Sequence, residues 1–205
     1  MAESMVVAND DVDLSRRKFL TSATIGVGAV GAVLAAVPFV ASWQPSERAK
    51  ALGVPTEFDL SKLDPGQMAI ILWRKQPIYV VRRTPEMVGS LKGHDDQLKD
   101  PNSDNTDQQP DYAKNPIRAR KPEILVLIGI CTHLGCLPKQ HFAAGDPELG
   151  ATWPGGYLCP CHGSRFDLAG RVFDGSPASK NLLVPPYSFP SENRLIVGVD
   201  EKGEA

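Results

Sequence analysis

The chain has 205 residues, with 22 basic and 24 acidic side chains and a formal net charge of -2 at neutral pH. That length accommodates one modest globular domain plus an appendage. The lack of any basic excess argues against nucleic acid as a partner.

In chain order, residues 1–14 are polar and acidic without an apolar period, and read as a tail with no core to join. Ser15-Arg16-Arg17-Lys18-Phe19-Leu20 then places two adjacent arginines directly before an apolar run, a pattern that resembles a twin-arginine export signal. The next 25 residues, from Phe19 to Trp43, carry no charged side chain. As a helix they reach about 37 Å, against a hydrocarbon core of about 30 Å. No A-x-A cleavage site occurs in this run, so residues 19–43 are expected to stay as a transmembrane anchor. Gly28, Ala32 and Ala36 recur at four-residue spacing, a smooth stripe for another helix, and Trp43 suits an interface. Arg16, Arg17 and Lys18 keep residues 1–18 cytoplasmic and place the body across the membrane. Residues 44–55 have the composition of a linker.

The body, residues 56–205, opens with strand-like runs at 57–60, 67–73 and 77–82, separated by turns at Asp64-Pro65-Gly66 and Lys75-Gln76, and is expected to form a meander. Thr84-Pro85-Glu86 has the cap, first-turn proline and early acid of a short helix over 85–91, ended by Gly93. Residues 94–116 are dense in Asp, Asn, Gln and Pro and read as a surface loop, with His94 solvated. Residues 123–130 are nearly all apolar, a buried strand leading into Cys131. An exposed connection is expected over 140–154, and His141 there has no cysteine at ligand spacing. Strands follow at 156–158 and 165–167, with a turn at Ala169-Gly170 and a return through Arg171-Val172-Phe173. Residues 185–189 and 194–199 complete the sheet, with Leu195, Val197 and Val199 on one face.

Two short loops hold all four cysteines and two of the four histidines: Cys131-Thr132-His133-Leu134-Gly135-Cys136 and Cys159-Pro160-Cys161-His162-Gly163-Ser164. Each brings one thiolate and one imidazole to a common point and carries one further cysteine. Two Cys and two His can close a tetrahedral zinc site, as in a zinc-stabilised binding module, although such a site has no use for the extra cysteines. They can also satisfy the two irons of a [2Fe–2S] cluster, thiolates on one and imidazoles on the other.

The pair C-T-H-L-G-C and C-P-C-H-G-S resembles the Rieske iron–sulfur proteins, and residues 15–199 resemble the Rieske subunit of bacterial quinol:cytochrome c reductase. The resemblance implies an all-β fold, an antiparallel β-sheet sandwich with an inserted cluster-binding subdomain, preceded by one transmembrane helix. It implies that Cys131 and Cys159 ligate one iron of a [2Fe–2S] cluster and His133 and His162 the other. It further implies a Cys136–Cys161 disulfide, a Ser164 hydroxyl bonded to a bridging sulfide, and a closing loop at Gly175-Ser176-Pro177-Ala178. His162 would meet the quinol, with His133 beside it and Leu134 at the docking tip. The partners implied are cytochrome b and cytochrome c1 in a dimeric complex of the bacterial inner membrane, with the head in the periplasm, where a disulfide persists. The linker would be a hinge.

A Rieske subunit of another exported oxidase, such as arsenite oxidase, shares the motif. Dioxygenase ferredoxins usually lack the bridging cysteines and an anchor. In one position the chain departs from the family pattern: Phe166 stands where many high-potential members have a tyrosine whose hydroxyl bonds a cysteine sulfur.

Overall fold

The computed structural model describes residues 13–46 and 53–203. The tail read over residues 1–14 therefore lies outside the described residues except at its end, as do 47–52 of the linker. The chain divides into two compact units, Met1–Lys50 and Ala51–Ala205.

In the first unit one helix, α1 (Leu14–Ser42), starts earlier than the apolar run does. Asp13 caps it, its carboxylate accepting from the N–H groups of Ser15 and Arg16, so the arginine pair sits inside the first turns. With 29 residues the helix is about 43 Å long. Three of its hydroxyls are satisfied within the helix: those of Thr21, Thr24 and Ser42 donate to the carbonyls of Arg17, Leu20 and Phe39. Such self-satisfaction suits a segment surrounded by hydrocarbon.

Among its described residues the second unit contains three antiparallel sheets of three strands each. One comprises β2 (Met68–Trp73), β3 (Gln76–Arg82) and β4 (Ile124–Ile128). Another joins β1 (Thr56–Asp59) to β9 (Arg194–Val197) and β8 (Tyr187–Ser191) in the order β1-β9-β8. The expected meander is thus wrong at its first step. β1 pairs with the far end of the chain, Phe58 opposite Leu195, and its carboxylate Glu57 meets Arg194, a pairing that local turn signals cannot announce. The β2–β3 turn is also displaced by one residue. Arg74 and Lys75 both adopt left-handed φ, 50° and 62°, and close a two-residue hairpin between Trp73 and Gln76.

After β3, Thr84 caps α2 (Pro85–Gly89), which runs on as a 3₁₀ turn to Lys92. The segment 94–116 is not the solvated loop expected from its composition. Ser103, Gln108 and Gln109 are buried, and the Gln108 side-chain oxygen accepts the N–H of Asn181. His94 is buried as well, its Nε2 3.3 Å from Asp167 Oδ2. Gln108, Gln109 and His94 are each matched to a hydrogen-bonding partner there, whereas the Ser103 hydroxyl has none among the described residues.

The third sheet, β5 (Lys139–His141), β6 (Gly156–Leu158) and β7 (Arg165–Asp167), is inserted between β4 and β8. Residues 140–154 accordingly begin as a strand, and Trp153 near their end is buried, its indole N–H donating to His141 O. All five residues of β4 are buried, as the apolar run predicts. Leu195 and Val197 of β9 are buried, whereas Val199 lies beyond the strand and is half-buried.

Candidate metal centre

The two motif loops are the same turn built twice. In the first, Cys131 O accepts the N–H of Gly135, and Cys131 N–H donates to Cys136 O. In the second, Cys159 O accepts the N–H of Gly163, and Cys159 N–H donates to Ser164 O. Gly135 and Gly163 hold φ of 82° and 75°, the left-handed region where a side chain is strained, and this is why each loop carries a glycine four residues after its cysteine. Rigid stems deliver both loops: β4 leads into Cys131 and β6 into Cys159.

The free thiols of Cys131 and Cys159 are both buried. The imidazoles are on the outer side: His133 is half-buried, His162 is exposed, and their rings stand edge-on with centroids 4.8 Å apart. Cys136 and Cys161 form a disulfide that joins the loops. Its two sulfurs and the Cys159 Sγ lie within 4.8 Å of one another, so the bridge runs directly alongside a free thiol. Burial pushes the Cys131 thiol up, opposed by hydrogen bonds from the His133 backbone N–H and the Ser164 hydroxyl. Phe166 is fully buried in the core cluster that also contains Cys131 and Cys159.

A third segment ties the two loops from behind. Thr132 Oγ1 of the first loop donates to Lys180 O, and Ser164 Oγ of the second accepts the N–H of Ala178. Lys99 reaches across from the polar segment to donate to both Ser176 O and Ala178 O. Lys99 and Lys180 were not legible as site residues, since a lysine that serves backbone carbonyls, or lends its own carbonyl to Thr132, carries no motif. His141 pairs instead with Asp146, 3.0 Å away, and has a structural role.

The family model of the Rieske [2Fe-2S] domain matches residues 101–188, and the model described as "Ubiquitinol-cytochrome C reductase Fe-S subunit TAT signal" matches residues 7–46. The ubiquinol-cytochrome c reductase iron-sulfur subunit of Allochromatium vinosum is 52% identical over 189 residues, covering 92% of this chain and 91% of that protein. The chain belongs to the Rieske iron–sulfur subunits of ubiquinol–cytochrome c reductase. The corresponding subunit of Blastochloris viridis is 39% identical, covering 94% of this chain and 98% of its own length. Among solved structures, a chain of a hyperthermophilic respiratory complex III is 28% identical, covers 84% of this chain and 98% of its own, and has a TM-score of 0.45.

This Rieske subunit is an electron-transfer component of complex III, is membrane-associated through an N-terminal twin-arginine signal and anchor helix, and has a [2Fe–2S] cluster as cofactor. The residues present fit that group. His133 Nδ1 is a buried nitrogen with no hydrogen-bond partner among the described residues, a state that costs free energy unless a metal takes the lone pair. Two free thiols and two imidazoles, with the other cysteine pair spent in a disulfide, make the mixed donor set that such a cluster requires.

Proposed function

We propose that Cys131 and Cys159 hold the inner iron of the cluster and His133 and His162 the outer one, and that the subunit takes electrons from quinol and passes them to cytochrome c1. The observation that carries this reading is the polarity of the site: both thiols are 2% exposed, while the imidazole side opens to solvent beside Leu134, which is 70% exposed. Bound there, the cluster supplies one-electron chemistry at a potential raised by exchanging two thiolates for neutral imidazoles. His133 turns Nδ1 inward, so Nε2 is the atom left to hold a proton; the exposed His162 has a second ring nitrogen for the same task and is the group placed to meet a quinol hydroxyl. Leu134, on the loop between His133 and the disulfide, provides an apolar tip that excludes water when the imidazoles dock against a quinol pocket in cytochrome b.

In the same reading residues 1–18 are a cytoplasmic tail, 19–43 span the bacterial inner membrane, 44–55 form a hinge, and 56–205 are a periplasmic head within a dimeric complex. Purification from membranes tests the whole. Two irons and two sulfides per chain without zinc, cytochromes b and c1 in the same detergent complex, and an intact mass that retains residues 19–43 are the expected results. Zinc in place of iron would overturn the cluster assignment. A mature start beyond Trp43, without cytochromes, would indicate a soluble oxidase subunit of the arsenite-oxidase kind.

Phe166→Tyr should raise the cluster potential by some tens of millivolts. The new hydroxyl enters the buried core cluster that also contains both free cysteines, and a bond from it to a cysteine sulfur favours the reduced, more negative state. About 1 kcal/mol of such preference corresponds to roughly 40 mV for one electron. Film voltammetry checks this, and a potential that stays put or falls means that the ring edge points away from the sulfurs.

A further inference from the structure

Tyr79, in the middle of β3, touches the stems of both motif loops at once. Its ring lies against Gly129, two residues before Cys131, so closely that a Cβ there would sit 2.2 Å from Tyr79 Cε1 and 2.4 Å from Cζ. Its hydroxyl donates to Pro138 O at 2.8 Å, two residues after Cys136, where the first loop closes. Its face stacks on Tyr157, two residues before Cys159, with centroids 5.9 Å apart and planes inclined by 21°. One side chain of the β2-β3-β4 sheet therefore gauges the entry and the exit of the first loop and the entry of the second. Tyr157, although buried beside it, has a hydroxyl without a hydrogen-bond partner among the described residues, so the polar part of this contact belongs to Tyr79.

We propose that Tyr79 is a positioning residue for the cluster, its hydroxyl fixing the closing end of the first loop through Pro138 and thereby setting the electron affinity of the site. The proposal rests on the ligand assignment made above. Its physical basis is preorganisation. The turn around Cys131 is held by the Gly135 N–H on Cys131 O and by the Cys131 N–H on Cys136 O, and a loop held in that one arrangement fixes the backbone dipoles around the sulfur that set electron affinity. Pro138 has no N–H of its own and stands between the disulfide-bonded Cys136 and the first residue of β5, so its carbonyl is where the turn can be pinned from outside. Tyr79 does so from a strand whose neighbours, β2 and β4, hold it on both sides.

The test is Tyr79→Phe in the full chain within the membrane complex. The ring, with its stacking on Tyr157 and its contact with Gly129, remains, and only the bond to Pro138 is lost. Iron and sulfide content should match wild type, electron affinity should fall about fivefold, which is roughly 40 mV for one electron, and the electron paramagnetic resonance lines of the reduced cluster should broaden as the loop samples more arrangements. Tyr157→Phe is the control: it removes an unpartnered hydroxyl from the same place and should leave potential and spectrum unchanged. A Tyr79→Phe potential and spectrum identical to wild type would overturn the proposal. So would an equal shift in Tyr157→Phe, because that would trace the effect to a nearby hydroxyl dipole and not to the Pro138 bond. If wild type itself holds no iron, the ligand assignment has failed, and this outcome is distinguishable from either result.

Discussion

Arg171→Met is expected to lower the melting temperature of the head by on the order of 10 °C and to reverse the dependence of its stability on pH. Arg171 and Asp167 are both fully buried, with Nε donating to Asp167 Oδ2 at 2.7 Å. The guanidinium also serves Asp95, Pro101 O and Leu91 O, so that it sews the polar segment to the turn after β7. Removing the guanidinium leaves the buried Asp167 charge with only the His94 contact and the N–H groups of Ala169 and residue 171; breaking a buried pair costs roughly 3–5 kcal/mol, and each kcal/mol moves the transition of a domain this size by about 2–4 °C.

The pH dependence follows from the carboxyl. Burial alone would push Asp167 up, but the contact with His94 and the charge and hydrogen bonds of Arg171 outweigh it and hold the group below the usual carboxylate range. In wild type this contribution is therefore complete above the unfolded value, about pH 4, and is lost as pH falls through the folded one. Without the guanidinium, burial is expected to outweigh the remaining contacts with His94 and the backbone N–H groups, so the folded carboxyl should bind its proton more tightly than the unfolded one and stability should decline as pH rises above about 4. Thermal unfolding of the detergent-solubilised chain between pH 4 and 7 checks both signs. The double variant Arg171→Met/Asp167→Asn should lose the slope and regain part of the stability, because no charge remains unpaired. A single variant with wild-type melting temperature and no slope would mean that water reaches Asp167.

This ion pair also shows where reading from sequence stops. The two motif loops were legible as turns because their pattern is local: the cysteine, the histidine and the left-handed glycine of each fall within five residues, and the apolar run of β4 announces a rigid stem before Cys131. The capped helix at Thr84 was legible for the same reason, and so was the long apolar helix near the N-terminus. His94 was misread because composition describes a segment and not its partners. Amid Asp, Asn and Gln it looks solvated, yet a carboxylate 73 positions away, fully buried and already bonded to an arginine, takes it inside. Gln108 is the same case, since its side chain and its carbonyl serve the N–H groups of Asn181 and Val184. The pairing of β1 with β9 failed for a related reason: strand periodicity gives the face of a strand and is silent about a neighbour at the other end of the chain.

The disulfide is a different kind of long-range contact, one whose loss can be expressed in numbers. Its cysteines are 25 residues apart, and opening a loop of that length relaxes the unfolded chain by about 3.5 kcal/mol in the chain-entropy description. Cys136→Ser/Cys161→Ser should therefore melt several degrees lower while still assembling a cluster, because Cys131, Cys159, His133 and His162 are untouched; with the loops no longer tied, iron should leave sooner on warming and the potential should fall. The single variant Cys161→Ser should fare worse than the double. It frees the Cys136 thiol in a place where its sulfur lies within 4.8 Å of Cys159 Sγ, close enough to compete for metal or to form a wrong disulfide with that cysteine. Iron retained after stepwise heating, together with a count of titratable thiols, separates these effects. Equal retention in the single and double variants would show that the free thiol is harmless, and a double variant with wild-type melting and iron retention would show that the turn hydrogen bonds alone hold the two loops together.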